Sequence, residues 1–218
     1  MKNIVVFASG NGTDLQAIMD ACDKGVLNAR VCAVISDKPG AKALERARNA
    51  GIDAYHVSVA KSARGETEQS KSANERTNAS DRVNADAPVE EVLNILATHK
   101  TDIIFLAGYL RKIDPRILEK YQNRVFNIHP ALLPKYGGKG MYGIHAHEAV
   151  IRAGDKESGV TIHRVNEEYD AGDIVARTIV PVEDGDTAET LAARVLEREH
   201  EFIVEVLGDI IDGKILLG

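Results

Sequence analysis

The chain has 218 residues, 44% hydrophobic and 28% charged, which is typical of one globular domain or two subdomains with a substantial core. Its net charge of −6 argues against a nucleic-acid partner, and the absence of tryptophan argues against a base-stacking surface. The start contains neither a signal peptide nor a membrane-spanning run, so we expect a cytoplasmic protein with no membrane partner. Cys22 and Cys32 lack metal-ligand spacing and fit reduced structural thiols.

The chain begins with a pattern of strand, glycine-rich turn and helix. Ile4–Ala8 is almost wholly apolar, Ser9–Asp14 interrupts it, and Leu15–Ala21 shows helical spacing. A turn of this kind brings backbone N–H groups and the positive end of a helix close to a phosphate. The turn matches neither a dinucleotide fingerprint nor a P-loop, so it favours a mononucleotide or phosphoribosyl group, or else a tight turn that binds nothing.

Strands and helices continue to alternate, which predicts an α/β fold with a doubly wound, mostly parallel sheet and helices on both faces. The predicted elements before residue 122 are strand Arg30–Ser36, helix Ala41–Ala50, strand Ala54–Val57, helix Val89–Thr98, strand Asp102–Leu106 and helix Pro115–Tyr121. Those after it are helix Ile144–Arg152, strands Gly159–Val165 and Ile174–Val180, and an amphipathic helix from Thr187 to about Gly208. Nothing separates independent domains, so we expect a single domain over residues 1–218.

The segment Ser58–Pro88 interrupts this pattern. It is crowded with charged and small polar residues, and Val83 is nearly its one sizeable apolar side chain. Such a composition buries too little surface to offset the entropy of ordering. We therefore predict a mobile surface loop over Ser58–Pro88.

Candidate catalytic side chains follow the strand at Val125. Side chains alternate along a strand, so Asn127 and His129 point to the same side, and Pro130 ends the ladder. The carboxyl end of a strand in an open α/β sheet is a common site for catalysis. A hydrogen-bonded Asn beside a core His is the alternative.

Four histidines lie in one third of the chain, and they leave two chemical interpretations open. A hydrolase with zinc-bound water would use two or three of them, but His145 and His147 lack the spacing that places two ligands on one helix face. Acyl transfer to an amine needs no metal: an amide and an imidazolium stabilise the tetrahedral oxyanion. A carboxylate such as Asp170 would keep the imidazole charged and assist proton transfer.

Five segments carry a family resemblance. Residues 127–136, NIHPALLPKY, and Gly159–His163 followed by residues 169–174, YDAGDI, resemble the folate-dependent formyltransferases. Residues 9–18, SGNGTDLQAI, and residues 194–200, RVLEREH, resemble the branch of that family that formylates glycinamide ribonucleotide in purine biosynthesis. The resemblance covers nearly the whole chain except Ser58–Pro88.

The resemblance implies transfer of the formyl group of 10-formyltetrahydrofolate, a co-substrate, to the amine of glycinamide ribonucleotide, without metal. It implies a phosphoribosyl-binding half (1–122) and a catalytic and folate half (123–218). The matching catalytic residues are Asn127, His129 and Asp170, supported by His163. The matching ribonucleotide-binding residues are Gly12, Thr13, Asp14, Leu15, Gln16 and Glu199. The matching folate-binding residues are Arg64, Leu110, Arg111, Lys112, Ile113, Asn127, Glu168 and Tyr169.

Three features depart from the pattern that the resemblance implies, and one of them is the insert Ser58–Pro88, which could alter folate access. Position 14 is Asp where the family commonly has Asn, and a carboxylate beside a phosphate is unfavourable unless it caps the helix. The loop Gly138–Tyr142 is longer than usual, and Lys139 within it reaches the substrate or faces solvent, the latter being commoner for a lysine.

Several rivals remain open. They are a formyltetrahydrofolate deformylase, a sugar-nucleotide N-formyltransferase, a methionyl-tRNA formyltransferase, a metal-dependent hydrolase and a nucleotide-binding regulator without catalysis. We expect the deformylase and the tRNA enzyme to need an additional N-terminal or C-terminal domain. We expect a monomer or homodimer that acts on small molecules.

Overall fold

The computed structural model describes residues 1–58 and 79–217, with the side chains of 79–86 outside the description. The described strands are β1 Lys2–Phe7, β2 Ala29–Ser36, β3 Asp53–His56, β4 Ile103–Leu106, β5 Val125–His129, β6 Glu157–Arg164 and β7 Ile174–Pro181. The described helices are α1 Thr13–Asp23, α2 Lys42–Asn49, α3 Ala79–Thr98, α4 Pro115–Lys120, α5 Ile144–Ala153 and α6 Ala188–Ile211. In this part of the chain no helix is both long enough and apolar enough to cross a membrane.

The seven strands form one sheet in the order β3-β2-β1-β4-β5-β6-β7. Strands β1 to β5 pair with one another in parallel, whereas β6 is antiparallel to both β5 and β7. This confirms the predicted mostly parallel, doubly wound sheet. The chain reverses its winding direction at β1, which lies between β2 and β4, and such a switch point leaves a crevice at the carboxyl ends of the strands.

Both faces of the sheet are buried, as the continuous apolar runs predict. Ile4 and Val6 belong to one apolar cluster, and Val5 and Phe7 belong to the cluster on the opposite face. The first cluster is closed by α6, whose buried stripe includes Leu191, Val195, Ile203 and Leu207. Because α6 also packs against α1, residues on these two helices meet beside the carboxyl end of β1.

The prediction of a loop over Ser58–Pro88 is wrong for its last ten residues. α3 begins at Ala79 and contains Pro88 within it, while residues 59–78 lie outside the described part. A lack of apolar residues argues against burial, not against helix. The second half of α3 is anchored by Val92 and Leu96 in the core, and extending an existing helix needs no new nucleus. Pro88 removes one backbone donor there.

Candidate functional site

Two clefts open where the parallel strands end. The large cleft, about 420 Å³, is lined by residues that follow β1, β4 and β5 and by the glycine loop, residues 137–143. The small cleft, about 60 Å³, lies between the segment after β4 and the turn after β6. Both clefts are lined by Tyr109, Asn127, Tyr169 and Asp170. Of the predicted catalytic residues, Asn127 and Asp170 therefore lie where the two clefts meet, and His129 lines the large cleft.

The antiparallel register of β5 and β6 brings Asn127 directly opposite His163. The Asn127 amide nitrogen lies 3.0 Å from His163 Nε2. His163 Nδ1 donates to the backbone carbonyl of Arg164 at 2.8 Å, because a carbonyl oxygen only accepts. His163 is therefore held with its proton on Nδ1, and its Nε2 accepts from Asn127. This fixes the direction in which the Asn127 amide points.

His129 ends β5 and is almost fully buried. Its Nε2 donates to the backbone carbonyl of Tyr136 at 2.6 Å, and its Nδ1 lies 3.7 Å from Asp170 Oδ2. Burial lowers the pKa of His129 and outweighs the Asp170 carboxylate, which raises it. The resting imidazole is thus biased toward the neutral form, unlike the charged form expected from the sequence. Its Nδ1 is left to accept a proton beside a carboxylate.

Asp170 connects the site to the glycine loop. One carboxylate oxygen lies 3.4 Å from the Asn127 amide, and the other accepts from the backbone N–H of Gly138 at 2.9 Å. Burial raises the pKa of Asp170, but opposing contacts, among them the hydrogen bond from the Gly138 N–H, outweigh it and leave the pKa below its usual value. Asp170 has φ 54°, a strained conformation for a residue other than glycine, and such strain is concentrated at functional sites.

The predicted ribonucleotide turn begins α1. Gly12 is its N-cap with φ 71°, and no side chain caps the helix. A Cβ at position 12 would lie 2.8 Å from the Ala43 Cα, so only glycine fits. The side chain of Leu15 is fully buried, and Gln16 is bonded to Asp20 and Arg46. These two side chains do not reach the large cleft, which leaves the backbone of the first turn as the available surface.

Asp14 and Glu199 both line the large cleft. Asp14 Oδ1 lies 3.5 Å from His200 Nε2, and both atoms are buried without a hydrogen-bond partner. Burial raises the pKa of Asp14, against the effect of His200. Burial and the neighbouring Asp14 raise the pKa of Glu199 well above its usual value. Asp14 does not cap α1, so this end of the site carries unsatisfied polar groups.

The predicted folate residues are divided between the two clefts. Leu110 lines the large cleft, and the small cleft is lined by Arg111, Lys112, Ile113, Glu168 and Tyr169 together with the trio residues Asn127 and Asp170. The Arg111 Nε is bonded to Asp37 at 3.2 Å, and the Lys112 ammonium donates to the Glu167 carbonyl at 2.7 Å. The small cleft has a volume of about 60 Å³, which is smaller than that of typical ligand pockets. Arg64 lies outside the described residues.

Several residues in the site were not predicted from the sequence. Tyr109 lines both clefts, and its ring packs edge-on against the ring of Phe7, with 5.3 Å between the ring centroids. The Tyr136 carbonyl and the Gly138 N–H are backbone groups, which no side-chain pattern reveals. His200 directly follows the predicted Glu199, and this adjacency in the sequence was the signal that could have identified it. Where side chains are described, in residues 1–58 and 87–217, no three His, Cys, Asp or Glu come together in a way that could hold a metal ion.

Comparison with known proteins gives consistent relatives. Residues 2–207 match the family model described as formyl transferase. The chain is 38% identical over 213 residues to phosphoribosylglycinamide formyltransferase of Escherichia coli (strain K12), covering 98% of this chain and 89% of the relative. It is 39% identical over 214 residues to the chloroplastic enzyme of that name from Arabidopsis thaliana, covering 98% of this chain and 67% of the plant protein.

A solved structure agrees with these relatives. Glycinamide ribonucleotide transformylase 1 from Geobacillus kaustophilus superposes with a TM-score of 0.78 and 37% identity, covering 100% of both chains. The similarity therefore extends over both clefts and all seven strands.

Proposed function

The chain belongs to the formyl transferase family, and we propose that it transfers the formyl group of 10-formyltetrahydrofolate to the amine of glycinamide ribonucleotide. The observation that carries this proposal is the network of Asn127, His163, His129 and Asp170 at the junction of the two clefts. Two substrates bound in adjacent clefts would meet at these side chains. Holding both reactants in such an orientation removes much of the entropic barrier.

In the proposed reaction, the amine nitrogen attacks the formyl carbon and the carbonyl oxygen becomes an oxyanion. The Asn127 amide stabilises this oxyanion with the N–H that lies 3.4 Å from Asp170 in the resting site, and one donor of this kind contributes about 3–4 kcal/mol. The neutral His129 takes up a proton released by the amine, and the adjacent Asp170 carboxylate stabilises the resulting imidazolium. Collapse of the intermediate breaks the bond between the formyl carbon and folate N10, and N10 takes up the proton held by His129 as it leaves.

We assign the large cleft with the first turn of α1 to the ribonucleotide and the small cleft to the folate. The ribonucleotide site takes Gly12, Thr13 and Asp14 from the first half of the chain (1–122) and Glu199 from the second half (123–218). The unsatisfied groups at the start of α1 support this assignment, because a bound ligand would supply their partners. Folate binding is expected to widen the small cleft by displacing Lys112 from the Glu167 carbonyl.

The test mixes the protein with both substrates and detects formylglycinamide ribonucleotide by mass spectrometry. Product is expected with both substrates present, and the rate is expected to persist with a strong chelator. Release of formate without any acceptor would instead identify a deformylase. Formylation of an amino-sugar nucleotide in place of glycinamide ribonucleotide would identify a sugar-nucleotide N-formyltransferase.

A further inference from the structure

We propose that Lys139 in the glycine loop binds the phosphate group of the acceptor substrate, an inference that rests on the proposed function because it requires a phosphorylated acceptor in the large cleft. The charged side chains that line this cleft are Asp14, Asp170, Glu199 and Lys139. Lys139 is the one ammonium among three carboxyl groups. A phosphate dianion that enters this cleft needs a cation to offset repulsion by any carboxylate that is ionised.

The backbone holds Lys139 in a defined turn. The Met141 N–H donates to the Gly138 carbonyl at 3.1 Å, so Lys139 and Gly140 are the two central residues of a β-turn. Gly140 has φ +93°, as the second central position of a type II turn requires. The turn is fixed to the transfer site because the Gly138 N–H donates to Asp170. Lys139 is therefore carried on a positioned segment.

The ammonium of Lys139 is available to a ligand. Lys139 is exposed, and it has no ion-pair partner among the side chains of residues 1–58 and 87–217. In contrast, Lys135, four residues earlier, is bonded to the Asp155 Oδ1 at 2.8 Å. An ammonium group that is not already paired can form a charge-assisted hydrogen bond to phosphate without first breaking another bond.

The start of α5 adds to the positive potential on the same side of the cleft. Its N-cap Gly143 lines the large cleft, and no side chain caps this ten-residue helix. The positive end of α5 and Lys139 thus face a cleft that also contains Asp14 of the α1 turn. Lys139, the N-cap of α5 and Asp14 from the first turn of α1 line a space of about 420 Å³, and a lysine beside helix N-termini favours an anion.

Two anions could be supplied by the substrates: the phosphate of the ribonucleotide and the carboxylates of the folate tail. Lys139 lines the large cleft, with Asp14 and Glu199, and does not line the small one. The geometry therefore favours the acceptor phosphate. Kinetic constants for the two substrates separate these sources.

The experiment compares Lys139→Met and Lys139→Arg with wild type in steady-state kinetics. Lys139→Met is expected to raise the KM for glycinamide ribonucleotide by about tenfold or more, as for loss of a hydrogen bond to a charged group. The kcat and the KM for formyl-folate are expected to stay within about twofold, and Lys139→Arg is expected to recover most of the affinity. Lys156→Met is the control, since Lys156 pairs with Asp184 on the surface and lines neither cleft.

The acceptor without its phosphate gives the sharpest readout. With that acceptor, Lys139→Met and wild type are expected to have the same kcat/KM. An equal loss with both acceptors would show that the loop acts structurally, and a raised KM for formyl-folate would assign Lys139 to the folate tail. An unchanged ribonucleotide KM would leave Lys139 in solvent; each of these three results overturns the proposal.

A separate measurement keeps this inference distinct from the proposed function. If wild type transfers no formyl group, the proposed function fails. Binding of ribose 5-phosphate, measured by titration calorimetry, still tests Lys139. Weaker binding to Lys139→Met than to Lys156→Met supports the phosphate contact, and equal binding refutes it.

Discussion

The two ends of the site differ in how completely their polar groups are paired. At the transfer end, the side chains of Asn127, His163 and Asp170 have hydrogen-bond partners, and His129 donates to a backbone carbonyl. At the start of α1, the Asp14 Oδ1 and the His200 Nε2 are buried without a partner. The transfer end is thus organised before any ligand binds, whereas we expect a ligand to supply the missing partners at the α1 end.

This difference follows from the elements that build each end. The transfer end lies on two adjacent strands, and ladder hydrogen bonds fix their side chains relative to one another. The α1 end lies between a helix start and a second helix, where four backbone N–H groups have no partner within the helix. A reaction centre benefits from rigidity, and an anion site benefits from open donors.

The largest expected effect on the rate comes from substitutions at the transfer end. Asp170→Asn and His129→Ala are each expected to lower kcat by about 10²–10⁴-fold, because the proton acceptor or its stabilising charge is lost. Product formation by mass spectrometry measures the rate, and thermal unfolding checks that the fold is intact. Asp173→Asn, an exposed position in the same turn, is the control and is expected to keep the wild-type rate. A near-normal rate in either variant removes that residue from the catalytic trio.

A smaller effect, on the KM for the ribonucleotide, is expected from a substitution at the α1 end. Asp14→Asn keeps the shape but removes a carboxyl group whose ionised form repels the phosphate, so the KM for the ribonucleotide is expected to fall by about threefold to tenfold. Asp20→Asn on the same helix is the control, since Asp20 is exposed and bonded to Gln16. A rise in KM for Asp14→Asn would mean instead that the carboxylate accepts a hydrogen bond from the substrate.

The smallest effect concerns the pH dependence of stability. Burial raises the pKa of Glu199 in the folded chain, so the folded state binds a proton that the unfolded state releases, and stability falls as pH rises from about 4.5 through the raised pKa. Glu199→Gln removes this loss. Its free energy of unfolding is expected to match wild type near about pH 4 and to exceed it by on the order of 1 kcal/mol near about pH 8.

Glu205→Gln is the matched control on the same helix. A hydrogen bond from Arg198 lowers the pKa of Glu205, so its contribution to stability is present above the unfolded pKa and is lost as pH falls. Glu205→Gln is therefore expected to change stability in the opposite direction at neutral pH. Chemical denaturation across this pH range measures both variants, and a decrease for Glu199→Gln would show that Glu199 is held in its ionised form.

The transfer end was largely predictable from the sequence, because the alternation of side chains along a strand fixes their direction. Asn127 and His129 share a side, as their spacing predicts, and both approach Asp170. The position of Asp170 itself followed from the family resemblance, since no local pattern joins residues more than forty positions apart. The contacts from Tyr136 and Gly138 were not predictable, because they come from the backbone of an irregular loop.

At the α1 end, the glycine turn was predictable from the sequence, but the burial of its carboxyl groups was not. The glycine turn before α1 indicates an anion site, and the structure has the uncapped helix start that such a site needs. The sequence does not show how deeply Asp14 and Glu199 are buried, because that depends on the packing of α6 against α1. The neutral bias of His129 was missed for the same reason: burial is a tertiary property.

The antiparallel strand β6 has a further consequence. Its pairing with β7 shifts register between Ile162 and His163, whereas its pairing with β5 runs without a shift through Asn127 and His163. The register shift therefore lies on the side of β6 that faces β7, and not on the side that faces β5. We therefore expect that the edge strand β7 can gain or lose a residue, or adjust to a neighbour along its exposed edge, without moving Asn127 and His163.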